Sequence, residues 1–146
     1  MRLNLGCGRY PTPGWINLDS VAWPGVDIVR DVLRGLPFSD GVIEEIYSEN
    51  FLEHIPQSET IWIMNEMYRV ISPAGIARHL IPQAGTAADF GDPTHLSRWS
   101  RDTLTYFEWS HGRNAYYGDL IKPWVIEIEE TQPNKLLEVK MRPYHA

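Results

Sequence analysis

The sequence predicts an α/β fold built on a mostly parallel sheet, and three observations support that prediction. Short apolar segments typical of strands are interrupted by segments with helical spacing. Gly, Pro, Asn and Asp residues separate these segments at regular intervals, as turns do. Near the end of the chain, two segments alternate apolar and charged residues around a turn, which indicates an antiparallel hairpin.

Seven strands and two helices account for this pattern. In chain order they are strands at Arg2–Leu5, Trp15–Asp19, Asp27–Arg30 and Ile43–Glu49, a helix after Ser58, a strand at Ile76–Pro82, a helix at Ser100–Ser110, and strands at Trp124–Glu130 and Lys135–Arg142. Ser58 and Ser100 stand where N-caps belong, because a serine hydroxyl accepts from a free N–H of the first turn. The Ser72-Pro73-Ala74-Gly75 segment ends the first helix, and the closing turn contains Pro133-Asn134.

Length and composition predict one domain over residues 1–146, since domains cluster near roughly 100–150 residues. One cysteine, Cys7, excludes an internal disulfide framework and a cysteine-rich zinc module. The net charge of −6 argues against non-specific nucleic-acid binding. With no apolar run of membrane-spanning length and no secretory signal, we expect a soluble cytoplasmic protein. The alternative is a fragment, because strand-like sequence begins at Arg2.

Candidate binding residues follow the first four strands, where ligands bind in open α/β sheets. They are Gly6-Cys7-Gly8, Asp19, Asp31-Val32 and Ser48-Glu49-Asn50. Glycines allow a tight turn and close approach of a ligand, and carboxylates accept from ribose hydroxyls or an adenine amine. Each signal alone also fits a plain turn, a surface aspartate or an N-cap. Their occurrence at consecutive strand ends favours a ligand site.

These stretches resemble the class I S-adenosylmethionine-dependent methyltransferases. The resemblance covers about residues 2–82 and rests on Leu3-Asn4-Leu5-Gly6-Cys7-Gly8, Trp15-Ile16-Asn17-Leu18-Asp19, Asp31 with Leu36-Pro37-Phe38, Glu49-Asn50-Phe51-Leu52-Glu53-His54-Ile55, and Glu66-Met67-Tyr68-Arg69-Val70-Ile71-Ser72-Pro73-Ala74-Gly75. Within the class, the chain is most similar to small predicted methyltransferases with a P-G-W-I-N-L-D segment. The resemblance implies a Rossmann-like, seven-stranded sheet whose last two strands are the predicted hairpin.

The resemblance also implies S-adenosylmethionine as cofactor, S-adenosylhomocysteine as product, and a set of cofactor-binding residues. That set is Leu5, Gly6, Cys7, Gly8, Asp19, Ser20, Asp31, Val32, Glu49 and Asn50. The glycine turn would wrap the methionine part, and Asp19 would hold the ribose. Asp31 and the Val32 backbone would meet the adenine, with Glu49 and Asn50 beneath the sulfonium. His54 is more typical of a structural cap than of a catalyst.

The chain departs from the family in its short connections. Residues 9–14 contain Pro11, Pro13 and Gly14, and this link and residues 20–26 are too short for helical crossovers. The first and second strands alternate apolar and polar residues, unlike strands buried on both faces. We therefore expect a sheet trimmed of helices on one face, which loops, a partner subunit or water would cover. A homodimer through this face, near Trp15 and Trp23, is the corresponding hypothesis.

Candidate catalytic residues lie in the long loop from Gln83 to Trp99. His95 is the best general base, because an imidazole titrates near neutral pH, and Asp92 would orient it or act itself. The alternative is that Asp92 caps a turn and His95 bonds locally. Arg98 and Arg101 would bind an anionic acceptor or lie in solvent. The histidine spacings match no metal motif, so we expect no metal site.

The leading function is methyl transfer to a small-molecule or sugar acceptor, without nucleic-acid or membrane partners. A nicotinamide oxidoreductase is disfavoured, because Thr12 and Pro13 replace the third glycine and the helix N-terminus that binds pyrophosphate. A non-catalytic methyltransferase-like binding or assembly module is the alternative from another functional class.

Overall fold

A computed structural model describes residues 1–131 and 135–145. Its strands are β1 (Arg2–Leu5), β2 (Ile16–Asp19), β3 (Ile28–Val29), β4 (Ile43–Glu49), β5 (Ile71–Pro82), β6 (Trp124–Thr131) and β7 (Leu136–Pro143). They form one sheet in the order β3-β2-β1-β4-β5-β7-β6. The first five strands pair in parallel, and β7 is antiparallel to β5 and β6. The predicted architecture is confirmed, while the Pro133-Asn134 turn lies outside the described residues.

The helices are α1 (Thr60–Val70), α2 (Ala87–Phe90), α3 (Arg101–Leu104) and α4 (Gly112–Tyr117). The prediction of Ser58 as an N-cap is wrong, since Ser58 lies inside a 3-10 turn that precedes α1. Ser100 does cap α3, in a capping box with Thr103. No helix within the described residues is long and apolar enough to span a membrane.

The predicted Ser100–Ser110 helix ends early, because its second half bonds to β6 instead. Trp124 N donates to Phe107 O at 2.7 Å, and Trp109 N donates to Trp124 O at 2.8 Å. The start of β5 also differs from the prediction. That strand begins at Ile71 rather than Ile76, because Ile71 pairs with Ile43 before a register shift. In both places tertiary hydrogen bonds override local turn and helix signals.

One face of the sheet carries the core. Neighbouring strands place Leu3, Ile46, Ala77 and Met141 in one row, and all four are fully buried. Helix α1 contributes Ile63, Met64, Met67 and Val70 to the same apolar cluster. Burial of this apolar layer stabilises the fold by about 25 cal/mol per Å² of apolar surface removed from water.

The opposite face is polar, as the alternating strands predict. The next row along the register is Asn4, Tyr47, Arg78, Lys140 and Glu127. Over β1 and β2, the loop of residues 6–15 covers this face through hydrogen bonds. Asn4 Nδ2 donates to Asn17 Oδ1 and to Thr12 Oγ1, each at 3.1 Å. The trimmed face is thus confirmed, and a homodimer through it stays a prediction.

We expect Arg69→Ala to lower the free energy of unfolding by about 2 kcal/mol, since charge-assisted hydrogen bonds contribute roughly 1.5–3 kcal/mol and this side chain is partly exposed. The Arg69 guanidinium donates to Phe38 O at 2.8 Å and to Leu36 O at 3.1 Å, and it pairs with Glu66 at 2.7 Å. Urea unfolding measures the loss. The exposed Arg34→Ala variant is the control, and an equal loss in both variants would contradict this anchoring role.

Candidate functional site

The turn after β1 is held against β2 by its own backbone. Gly6 N donates to Leu18 O at 2.8 Å, and Gly8 N donates to Asp19 Oδ2 at 2.8 Å. Gly6 has φ +69°, and a Cβ there would lie 2.3 Å from the Phe51 ring. Only glycine fits this position, because both the backbone conformation and the neighbouring ring exclude a side chain.

A cavity of about 360 Å³ opens beside this turn, at the carboxyl ends of the parallel strands. Its walls come from the ends of the first four strands and from the segment after β4. The residues that line it are Gly6, Gly8, Leu18, Asp19, Ser20, Arg30, Asp31, Val32, Leu33, Asn50, Phe51, His54, Ile55 and Pro56. Seven of the ten sequence-predicted cofactor residues are in this set.

Two carboxylates in this cavity, those of Asp19 and Asp31, also accept hydrogen bonds that hold the local backbone. Asp19 Oδ2 accepts from Gly8 N, and its Oδ1 accepts from Val21 N at 2.9 Å. Asp31 caps a 3-10 turn by accepting from Leu33 N at 3.0 Å. A carboxylate offers about four acceptor sites, so each aspartate keeps capacity for a ligand hydroxyl or amine.

A second cavity, of about 560 Å³, adjoins the other side of the glycine turn. It contains Cys7 and Glu49 and shares Gly6, Gly8 and Asn50 with the first cavity. Asn50 has φ +49°, a left-handed conformation that asparagine tolerates better than most residues. The two cavities therefore meet at the glycine turn and Asn50.

The remaining predicted residues of this region differ in accessibility. The Leu5 side chain is fully buried in the core, and Leu5 lines neither cavity. Burial raises the pKa of the Cys7 thiol above its usual value. Beside Glu49, Tyr47 donates its hydroxyl hydrogen to Glu49 Oε2 at 2.8 Å. Burial, followed by that hydrogen bond, raises the pKa of Tyr47 to about 12.

The two predicted catalytic residues come together, but His95 lies behind the cavity wall. His95 Nε2 is 3.7 Å from Asp92 Oδ2, and the His95 side chain is only 6% exposed. His54 stands between it and the cavity, with the two ring centroids 5.0 Å apart in an edge-on arrangement. The residue that reaches the cavity is therefore His54, which sequence reasoning treated as a structural cap.

Sequence reasoning also missed the role of Glu53. Its side chain is 1% exposed, and within residues 1–131 and 135–145 neither carboxylate oxygen has a hydrogen-bond partner. Burial raises the pKa of Glu53 to about 7. Its backbone oxygen accepts from Leu96 N at 2.7 Å and Ser97 N at 3.0 Å, which holds the loop after β5 in place. The available signal was a carboxylate between apolar Leu52 and Ile55.

Comparisons with known proteins identify relatives in sequence. No family model matches the chain. Proteins named "uncharacterized methyltransferase" from Mycobacterium sp. (strain JLS among them) are 37% identical to it over 71 residues. The match covers 48% of this chain and 27% of the relative, so the chain spans well under two-thirds of those proteins.

Solved structures extend the likeness to nearly the whole fold. The DhpI–SAM–HEP complex matches with a TM-score of 0.67 at 15% identity, covering 97% of this chain and 78% of that one. The 1,6-didemethyltoxoflavin-N1-methyltransferase of Burkholderia thailandensis matches with a TM-score of 0.65 at 11% identity, covering 99% and 71%. In sequence, the chain is similar over 48% of its length to proteins named uncharacterized methyltransferases, and its fold is similar to that of solved S-adenosylmethionine-dependent methyltransferases.

Proposed function

We propose that the protein binds S-adenosylmethionine at the glycine turn and transfers its methyl group to a small-molecule acceptor. The observation that carries the proposal is the cavity at the carboxyl ends of β1 to β4. It brings Gly6, Gly8, Asp19, Asp31 and Asn50 together. Pockets of about 300–1,000 Å³ with a few convergent polar groups are typical of small-molecule sites.

The described residues suit this cofactor better than a dinucleotide. The chain beyond Gly8 forms a loop rather than a helix through Trp15, so the described residues offer no helix N-terminus for a pyrophosphate there. S-adenosylmethionine has no phosphate to place. Asp19 can accept from ribose hydroxyls while it keeps Gly8 in position, and Asp31 and Val32, which line the same cavity, are the proposed adenine contacts.

The cofactor supplies an activated methyl group, because the methyl is carried on a sulfonium. The protein has to orient the acceptor, exclude water and take up a proton where the acceptor is a hydroxyl or amine. Asn50, which lines both cavities, and Glu49, which lines the second, are suited to orienting the acceptor. His54 lines the cavity and its ring lies edge-on to His95, so His54 is the imidazole best placed to take up that proton.

The volume of the second cavity and the ligand of a similar solved structure support a small-molecule acceptor. A cavity of about 560 Å³ next to the glycine turn has room for a metabolite-sized molecule. The solved relatives include a methyltransferase bound to 1,6-didemethyltoxoflavin, which is itself a small molecule. A small metabolite or sugar therefore remains the proposed acceptor.

Calorimetric titration with S-adenosylhomocysteine tests this proposal. We expect wild-type protein to bind and Asp19→Asn to bind at least about tenfold more weakly, equivalent to about 1.4 kcal/mol. An amide can present its oxygen to only one of Gly8 N and Val21 N, and it carries no charge for the ribose. The exposed Asp119→Asn variant is the control. Absence of binding to folded wild-type protein, or equal weakening in both variants, would contradict the proposal.

A further inference from the structure

Three side chains of metal-ligand type lie together at the wall of the first cavity. They are Glu53, His54 and His95, and one ligating atom of each lies within 4.8 Å of the other two. They come from distant parts of the chain, since the 3-10 turn of Leu52–His54 meets the loop after β5. The fold, rather than a local sequence motif, assembles this group.

The Glu53 carboxylate lacks the partners that a buried charge requires. Among the described residues, neither of its oxygens accepts a hydrogen bond, and His95 Nε2 is 3.9 Å from Oε1. That separation is too long for a hydrogen bond. Because leaving a buried carboxylate unpaired is costly, an atom between Glu53 and His95 would explain the arrangement.

Both imidazoles have Nδ1 within hydrogen-bond distance of a backbone carbonyl. His95 Nδ1 lies 2.8 Å from Asp89 O, and His54 Nδ1 lies 3.3 Å from Thr94 O. A carbonyl oxygen only accepts, so in each bond Nδ1 carries the hydrogen and Nε2 keeps its lone pair. Histidines that bind metals usually donate their other ring N–H to a carbonyl or carboxylate in this way.

A fourth candidate ligand is held in place beside them. Asp92 Oδ1 accepts from Thr94 N at 2.8 Å and from Thr94 Oγ1 at 2.6 Å. Its other oxygen, Oδ2, faces His95 Nε2 at 3.7 Å. Thr94 therefore orients both Asp92 and His54.

The distances from His95 Nε2 to the Glu53 and Asp92 carboxylate oxygens are close to the ligand–ligand distances around a bound metal ion. Ligands at about 2.0–2.2 Å from a tetrahedral zinc ion are about 3.4 Å apart. The 3.7 and 3.9 Å separations at His95 Nε2 exceed this by a few tenths of an ångström, which side-chain rotation supplies. Imidazole and carboxylate together suit zinc, iron, cobalt and nickel better than magnesium or calcium, which prefer oxygen ligands alone.

We propose that Glu53, His54 and His95, with Asp92 as a fourth ligand, bind one divalent transition-metal ion at the wall of the cavity. Metal binding is measured without cofactor or acceptor, so its test can fail or succeed independently of cofactor binding; a bound ion would occupy the imidazole that otherwise takes up the proton. Because His54 also lines the cavity, the ion would lie at its edge.

The test uses the full chain after treatment with a chelator and desalting. Titration with Zn²⁺ is followed by calorimetry, and titration with Co²⁺ by its visible absorption, which reports coordination geometry. We expect one ion per chain and an increase in melting temperature on adding Zn²⁺, since a ligand that binds only the folded state stabilises it. Glu53→Gln and His95→Ala should each weaken binding at least tenfold.

His111→Ala is the matched control, because it removes an exposed histidine outside the cluster. Circular dichroism of the metal-free variants checks that they are folded. We expect Glu53→Gln to stay folded, because it removes an unpaired buried charge without changing the size of the side chain. Weakening in His111→Ala equal to that in His95→Ala would overturn the proposal. So would unchanged Zn²⁺ binding in Glu53→Gln, or no binding by wild type, either of which leaves water as the atom between Glu53 and His95.

Discussion

Gly6→Ala should lower the free energy of unfolding by about 3 kcal/mol or more and abolish detectable binding of S-adenosylhomocysteine. An alanine at the φ of +69° costs about 1–2 kcal/mol. The new Cβ would also lie 2.3 Å from Phe51 Cδ2 and 2.8 Å from Phe51 Cγ, and such overpacking costs typically about 1–3 kcal/mol. Because Phe51 lines the cavity, its displacement changes the cavity as well as the turn.

Gly8→Ala separates these two causes. Gly8 also has a positive φ, +53°, but a Cβ there meets no atom of the described residues within 4 Å. We expect a loss of about 1–2 kcal/mol from conformation alone. Urea unfolding of both variants measures the difference. Equal losses for Gly6→Ala and Gly8→Ala would show that contact with Phe51 has no energetic role.

Acidification should destabilise the protein through His79, and His79→Gln should remove that effect. His79 is 1% exposed on β5, its Nδ1 lies 2.7 Å from Ser48 Oγ, and its Nε2 has no partner among the described residues. Burial lowers the pKa of His79 from 6.5 to about 4. The native state therefore holds the neutral imidazole at a pH where the unfolded chain binds a proton.

The sign of the effect follows from linkage. Above pH 6.5, His79 is neutral in both states and its full contribution to stability is present. As pH falls from 6.5 to about 4, the unfolded state gains a proton that the native state does not, so stability declines. The difference between these pKa values corresponds to about 3 kcal/mol. Urea unfolding across this range should show a shallower decline for His79→Gln, and parallel curves for both proteins would contradict the assignment.

Much of the fold was predictable because local and tertiary signals agree in its first half. The bounds of β1 and β4 match the prediction, since each strand has strand-type residues between clear turn signals. The alternation in β1 and β2 also indicated correctly that one sheet face lacks apolar packing. Helix α3 ended early for a reason that no local pattern contains, namely that Phe107 and Trp109 bond to the backbone of Trp124.

The candidate site also contains residues that the sequence predicted and residues that only the tertiary structure brings together. Strand ends can be read in order along the chain, and so Asp19, Asp31 and Asn50 were predicted at one cavity. The contact of His54 with His95 joins segments that are distant in the sequence. The burial of Glu53 could not be read from periodicity, because Leu52–His54 is a short 3-10 turn and such turns have no reliable period. Such groupings depend on the path of the loop after β5.

The short connections between the first strands also bear on how the chain folds. Strand β1 pairs with β2 across residues 6–15 alone, and β2 pairs with β3 across residues 20–27. Parallel pairing usually demands a long helical crossover and therefore a slow search for distant contacts. Here loop closure carries a smaller entropic cost. We expect the three strands that bear the glycine turn, Asp19 and Asp31 to associate as an early, local nucleus, before β5 and β7 complete the sheet.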